Sequence, residues 1–227
     1  MWFFNTLLQR KVLVFLFLSS FCFSVNAQFK INSGYDLDYA LPTTLNQILD
    51  SYNSQHPEAI QAFDAFHFSN GLLFGLRYEV DFLGIEASWI YRFSDEESVL
   101  SESTDSNTGI KLLGRFQTFS FGLDNQFSWF SYGGSVDYNL TRIKANINDQ
   151  TTKTSFLKDE NFGATFYLGF NTSRSNQIQL SLRPFVRIQL TPVNYRQLDL
   201  KLNESPTVSD SSDRPFTFGL RIIFTNG

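Results

Sequence analysis

The stretch FHFSNGLLFGLRYEV at residues 66–80, followed after two residues by LGIEASWIYRF at 83–93, decides the fold. In the first run Phe66, Phe68, Asn70, Leu72, Phe74, Leu76, Tyr78 and Val80 fall on even positions, while His67, Ser69, Gly71, Leu73, Gly75, Arg77 and Glu79 fall on odd ones. In the second, Leu83, Ile85, Ala87, Trp89, Tyr91 and Phe93 alternate with Gly84, Glu86, Ser88, Ile90 and Arg92. A period of two is the mark of a strand with two unlike faces. Only Asp81-Phe82 separates the runs, which predicts a tight hairpin.

Working outward, the same alternation predicts strands around 29–39, 130–140, 162–170, 178–190 and 216–224. The segment 110–123 is less regular. Leu113, Phe119, Phe121 and Leu123 share a face there, Phe116 falls on the other, and a bulge near Gln117 is the expected reason. That makes about eight strands. The connections alternate between long polar ones near 41–65, 94–109, 145–160 and 192–214 and brief ones near 81–82, 124–127 and 171–176. Such asymmetry is a property of transmembrane barrels, with short periplasmic turns and longer extracellular loops. The expected fold is therefore all-β: a closed, antiparallel, up-and-down transmembrane β-barrel.

Alternation would suit a soluble lipocalin-like barrel as well, and the polar face separates the two. That face carries Gly71, Gly75, Gly84, Gly133, Gly163, Gly169 and Gly219 with isolated charges, whereas a solvated exterior would be dense in Lys and Glu. Glycines relieve crowding inside a narrow barrel, so the polar face is read as the lumen and the apolar face as meeting lipid. Trp89, Tyr91 and Phe93, and Phe130 and Tyr132, stand where aromatic girdles would meet headgroups. The lumen then receives Arg77, Glu79, Glu86, Arg92, Asp137, Arg183, Arg187 and Arg221, with Asp36 from the first strand. Charges confined there must pair, so a plugged, non-conducting lumen is expected.

The chain opens with Arg10-Lys11, an apolar run, and Val25-Asn26-Ala27 before Gln28, the layout of a cleavable secretory signal. Residues 1–27 are read as that signal and 28–227 as one barrel domain. Cleavage would remove Cys22, the only cysteine, so no disulfide framework is expected. The formal net charge is −4 and becomes more negative without Arg10 and Lys11, which argues against a nucleic-acid partner.

In architecture the mature chain resembles the OmpA/OmpX-type family of small outer-membrane barrels. One local motif strengthens the likeness: barrel-assembly machinery in that group reads a last strand of the form polar-x-Gly-x-x-apolar-x-apolar, matched here by Thr217, Gly219, Ile222 and Phe224, while Thr225-Asn226-Gly227 departs from the habit of ending on the aromatic. Residues 44–52 resemble first-loop segments of small barrels in Bacteroidetes, and Leu45, Ile48, Leu49 and Tyr52 have helical spacing, which predicts a short amphipathic helix over the barrel mouth. The resemblance implies outer-membrane lipid, lipopolysaccharide and the assembly machinery as partners, a monomer, and periplasmic chain ends.

The sequence offers little chemistry. Its two histidines, His56 and His67, do not make a metal set without loop carboxylates, so no metal or cofactor is expected. His67-Phe68-Ser69 has the His-x-Ser spacing of the outer-membrane lipid A deacylase, with Asp64 or Asp81 as orienting acids, but alternation puts His67 and Ser69 in the lumen, away from lipid. Asp95-Glu96-Glu97, Glu102 and Asp105 make the second long connection acidic, which reads as a solvated loop ahead of a divalent-cation bridge to lipopolysaccharide. The expected role is structural or surface-interacting rather than enzymatic; the alternatives are a narrow transport or small-ligand-binding barrel and, further off, a lipid-modifying hydrolase.

Overall fold

The computed structural model describes residues 28–102, 107–148, 153–172, 178–203 and 211–226. The segment 1–27 read as a signal, Asp105 and Gly227 lie outside them. Eight strands close into one barrel: β1 (Gln28–Leu41), β2 (Phe68–Val80), β3 (Leu83–Glu102), β4 (Asn107–Gln126), β5 (Phe130–Ile147), β6 (Thr154–Asn171), β7 (Ile178–Gln189) and β10 (Phe216–Asn226). Each pairs antiparallel with its neighbours in chain order, and β10 returns to β1 with Tyr35 opposite Ile222 and Leu41 opposite Phe216. A two-residue ladder, β8 (Val193–Asn194) with β9 (Ser212–Asp213), sits in the last long connection. Asp81 takes a φ of 53°, a left-handed conformation that Asp tolerates, and so allows the two-residue β2–β3 turn.

The outer wall is apolar. Leu76, Phe121 and Val136 are each more than 60% exposed, and Phe74, Phe119, Phe166, Phe218 and Phe224 stand in the same outward rows. Aromatic rings crowd the short-turn end, where Phe127 stacks on Tyr132 and Trp129 on Phe170. Water would not tolerate such a belt on a folded monomer; lipid would.

The strands are unequal in length. A tilted membrane wall needs about 9–11 residues. β3 and β4 have 20 residues and β5 and β6 have 18, whereas β1, β2, β7 and β10 have 14, 13, 12 and 11. The connections expected as loops at 94–109 and 145–160 are therefore mostly strand, with Asp95, Glu96 and Glu97 inside the β3–β4 ladder. The reason is visible in the ladder: outward Asp95 meets Arg115 at 2.6 Å and Glu97 meets Lys111 at 3.2 Å, cross-strand pairs that support pairing beyond the membrane.

No bulge occurs at Gln117. The β4 register runs unbroken past it on both sides, and the shifts fall instead at Val99/Ser101 and Ile143/Lys144. Phe116 sits on the inner face because the interior has become apolar at that height. There the projecting strands contribute Leu112, Ile143, Ala145, Phe156 and Leu157 to a buried cluster. Phe66 joins the same cluster, so the alternation begins at Phe68, not Phe66.

Two helices complete this cap. Helix α1 (Thr43–Gln55) starts after Pro42 and turns Leu45, Ile48, Leu49 and Tyr52 into the cluster. Its polar side chains bind the returning chain: Asn53 donates to Phe63 O and accepts from Phe63 N–H at 3.0 and 2.9 Å, and Asn46 accepts from Phe66 N–H at 2.8 Å. Helix α2 (Arg196–Leu202) adds Leu198 and Leu202. Asn203 at its end reaches both Asp199, at 2.8 Å, and Ile48 O of α1, at 3.4 Å.

The cap has its own apolar cluster, so its stability can be probed apart from that of the membrane wall. Ile48 has no exposed surface, so Ile48→Ala should cost the cap about 3 kcal/mol. Amide exchange should then accelerate across α1 and leave β2 and β3 protected; equal loss in both would mean that cap and barrel unfold as one unit.

Candidate functional site

The nine charged residues singled out for the lumen, Asp36, Arg77, Glu79, Glu86, Arg92, Asp137, Arg183, Arg187 and Arg221, all lie in the interior, each no more than 7% exposed. The structure adds Lys30, Asp38 and Asp124, which sequence reasoning did not place there. Lys30 and Asp38 share the even face of β1 with Asp36 and were legible by parity. Asp124 falls in the stretch expected as a turn, but β4 runs two residues beyond it. Among the described residues the barrel wall thus buries six cations and six carboxylates.

They form two groups. Toward the short turns, Arg77 donates twice to Asp124 at 2.8 and 2.9 Å and once to Glu79 at 2.7 Å, and Lys30 meets Glu79 at 2.7 Å. Glu86 bridges Arg183 at 2.8 Å and Arg77 at 3.4 Å. Arg183 also lies over the Tyr167 ring, 5.1 Å from its centroid. Three cations face three carboxylates. A Cβ at Gly84 would collide with Arg77 and Asp124, so only glycine leaves room for this pair.

Toward the cap, Arg221 donates to Asp36 at 2.8 Å, and Asp38 accepts from Arg92 and, at 2.9 Å, from Arg187. Asp137 accepts from Ser120, Ser135 and Thr165 and lies 3.5 Å from Arg187. Phe185 lies beneath two guanidinium groups, 4.5 Å from Arg221 and 5.3 Å from Arg187. Arg92 donates to Thr118 at 2.6 Å, and a polar chain continues through Asn139 to Asn161. Again three cations face three carboxylates. Leu73, Ile90 and Ile223 form a small buried apolar cluster, with Ile90 between Glu86 and Arg92 along β3.

The other candidates are not assembled. His67 stacks on Tyr39, a ring of the outward row, and its Nδ1 lies 3.0 Å from Ala40 O rather than on Ser69. It precedes the first β2 pair, so the lumen parity expected for it does not apply. Asp64 is exposed, and Asp81 lies in the hairpin at the far end of β2. Among the described residues no group of His, Cys, Asp and Glu is placed to hold a metal. Of the last-strand motif, Thr217 is buried, Gly219 approaches Phe185, Ile222 is half-buried and Phe224 faces outward. At the cap, burial raises the pKa of the Tyr195 hydroxyl, which stays protonated.

An eight-stranded closed wall that is apolar outside and ion-paired inside defines a small β-barrel of the outer-membrane kind. No known protein-family profile matches the chain, and no curated protein matches it. Among solved structures, Ail, the attachment invasion locus protein of Yersinia pestis, in complex with the heparin analogue sucrose octasulfate, is similar over 88% of this chain and 98% of its own, at 12% identity and a TM-score of 0.51. Neisserial surface protein A aligns over 88% and 98% at 7% identity and a TM-score of 0.42. The outer membrane protein OprG from Pseudomonas aeruginosa aligns over 87% and 94% at 10% and 0.38.

The ion pairs predict a stability test. Glu86→Ala leaves Arg77 and Arg183 short of a buried partner and should lower stability by about 3 kcal/mol. Glu86→Ala combined with Arg183→Met should recover part of that loss. Denaturant unfolding in lipid vesicles measures both, and additive losses would show that the pair is not coupled.

Proposed function

We propose that the protein is an integral outer-membrane β-barrel of a Gram-negative envelope, of the OmpA/OmpX type, with a structural or surface-interaction role and no catalytic activity. What supports this reading is the filling of the interior at two levels. Two charge-neutral ion-paired groups occupy the barrel, and α1, α2 and the projecting strands cover the long-connection end with a packed apolar cluster. A continuous water path would require both to open. In this reading the long connections are extracellular and residues 28 and 226 periplasmic; the protein works as a monomer, assembled by the barrel-assembly machinery through the motif on β10. Lipid and lipopolysaccharide surround it, and the surface above the membrane meets the partner.

The mature protein should fractionate with outer membrane, require detergent for extraction, and run faster on gels unheated than boiled. Planar bilayers should show no steady conductance. Recovery as a detergent-free periplasmic monomer would end the membrane reading, and reproducible channels would end the closed-lumen reading. Phe224→Asp should block assembly, because the last strand closes the sheet edge against β1 and an unpaired edge in lipid leaves backbone groups unsatisfied. Normal yields of heat-modifiable Phe224→Asp would remove the assembly role given to β10.

A further inference from the structure

The interior is not filled where the charged lumen meets the apolar cap. A cavity with about 80 Å³ of room for water-sized molecules lies there. Asp38, Arg92 and Arg187 line it from the charged side, and Leu45, Phe66, Phe116 and Val193 from the cap. Of the upper charged group these three border it, while Asp36 and Asp137 lie behind them, 3.7 Å from Arg92 and 3.5 Å from Arg187.

Each of the three keeps one buried polar atom without a hydrogen-bond partner: Nη2 of Arg187, Nε of Arg92 and Oδ1 of Asp38. Their side chains are 2%, 5% and 4% exposed. Leaving a buried donor or acceptor unpaired costs about 1–3 kcal/mol each. Water can serve the polar atoms, to which Ser94, Asn139 and Thr141 add further partners, but it leaves the carbon surface of Leu45, Phe66, Phe116 and Val193 without a match. A molecule with one polar and one apolar end satisfies both surfaces. At roughly 10–15 Å³ for each water-sized sphere, the cavity has room for about six waters, the scale of a small amino or hydroxy acid.

We propose that this cavity binds a small amphipathic carboxylate with an amino or hydroxyl group beside it and a short apolar tail. The carboxylate accepts from Arg187 and Arg92, the neighbouring donor reaches Asp38 Oδ1, and the tail lies against Leu45, Phe66 and Val193. The two guanidinium groups supply the charge-assisted hydrogen bonds that hold a carboxylate. The unpaired Asp38 oxygen selects for the donor. Nothing in this depends on what the outer surface meets.

The test uses the refolded barrel in detergent and four probes: L-valine, 2-hydroxy-3-methylbutanoate, 3-methylbutanoate, which lacks the donor, and isobutylamine, which lacks the carboxylate. Calorimetry should show saturable one-to-one binding of the first two, about tenfold weaker binding of the third, and none of the amine. Arg187→Gln should weaken L-valine about tenfold. Should that variant fail to fold, Ser94→Leu fills the cavity from the β3 wall without removing a charged partner and should abolish binding. The site is overturned if no probe saturates by roughly 10 mM, if all four bind alike, or if Ser94→Leu binds as the parent does. Channels in bilayers would end the closed-lumen reading and leave this titration to be judged on its own.

Discussion

Every feature of the barrel depends on one constraint: charges shut inside a closed wall must neutralise one another. Lipid surrounds the wall and a packed cap covers one end, so each of the twelve ions would cost several kcal/mol if left alone. The backbone ladder joins only neighbouring strands. The ion pairs do more, because Arg183 of β7 reaches Glu86 of β3 across the lumen, and Arg187 of β7 reaches Asp38 of β1 past β10. They fix the distance between strands that share no backbone hydrogen bond, and with it the cross-section of the barrel.

Two cores of opposite polarity are stacked along the same strands. In the membrane the polar residues point inward and the apolar ones outward; in the cap the apolar residues point inward, and outward Asp95, Glu97, Lys111 and Arg115 pair across the ladder. On β4 the exchange occurs between Leu112 and Thr118, with Phe116 inward and half-buried against the cluster. Side-chain parity does not change there. What changes is the solvent outside, from lipid to water, so the residue types that suit each face change places.

That exchange explains what the sequence allowed to be read and what it did not. Period-two patterning identified the strands, the β2–β3 hairpin and the lumen side of Arg77, Glu86, Arg183 and Arg221, because one rule governs the whole membrane-embedded length. At 110–117 two rules meet, and an inward Phe116 looks like a register error when only one is applied. The long connections looked like loops because their outward residues are charged, although those charges stabilise a ladder in water. Asp124 falls in the stretch 124–127 expected as a turn, whereas Asp38 was legible by parity alone. The pairing partners were not, since Arg187 and Asp38 are 149 positions apart and closure alone brings them together.

The unequal strand lengths give the molecule a direction within the plane of the membrane. Only the β3–β6 half of the wall rises beyond the belt, while the β7–β10–β1–β2 half stops near it and is filled in by α1, α2 and the small β8–β9 ladder. Seen along the membrane normal, the protein is therefore a crescent leaning over a helical shoulder rather than a ring. Rotation about that axis changes what it shows to its surroundings: a tall, rigid, hydrogen-bonded palisade on one bearing, a low and rounded slope on the opposite one.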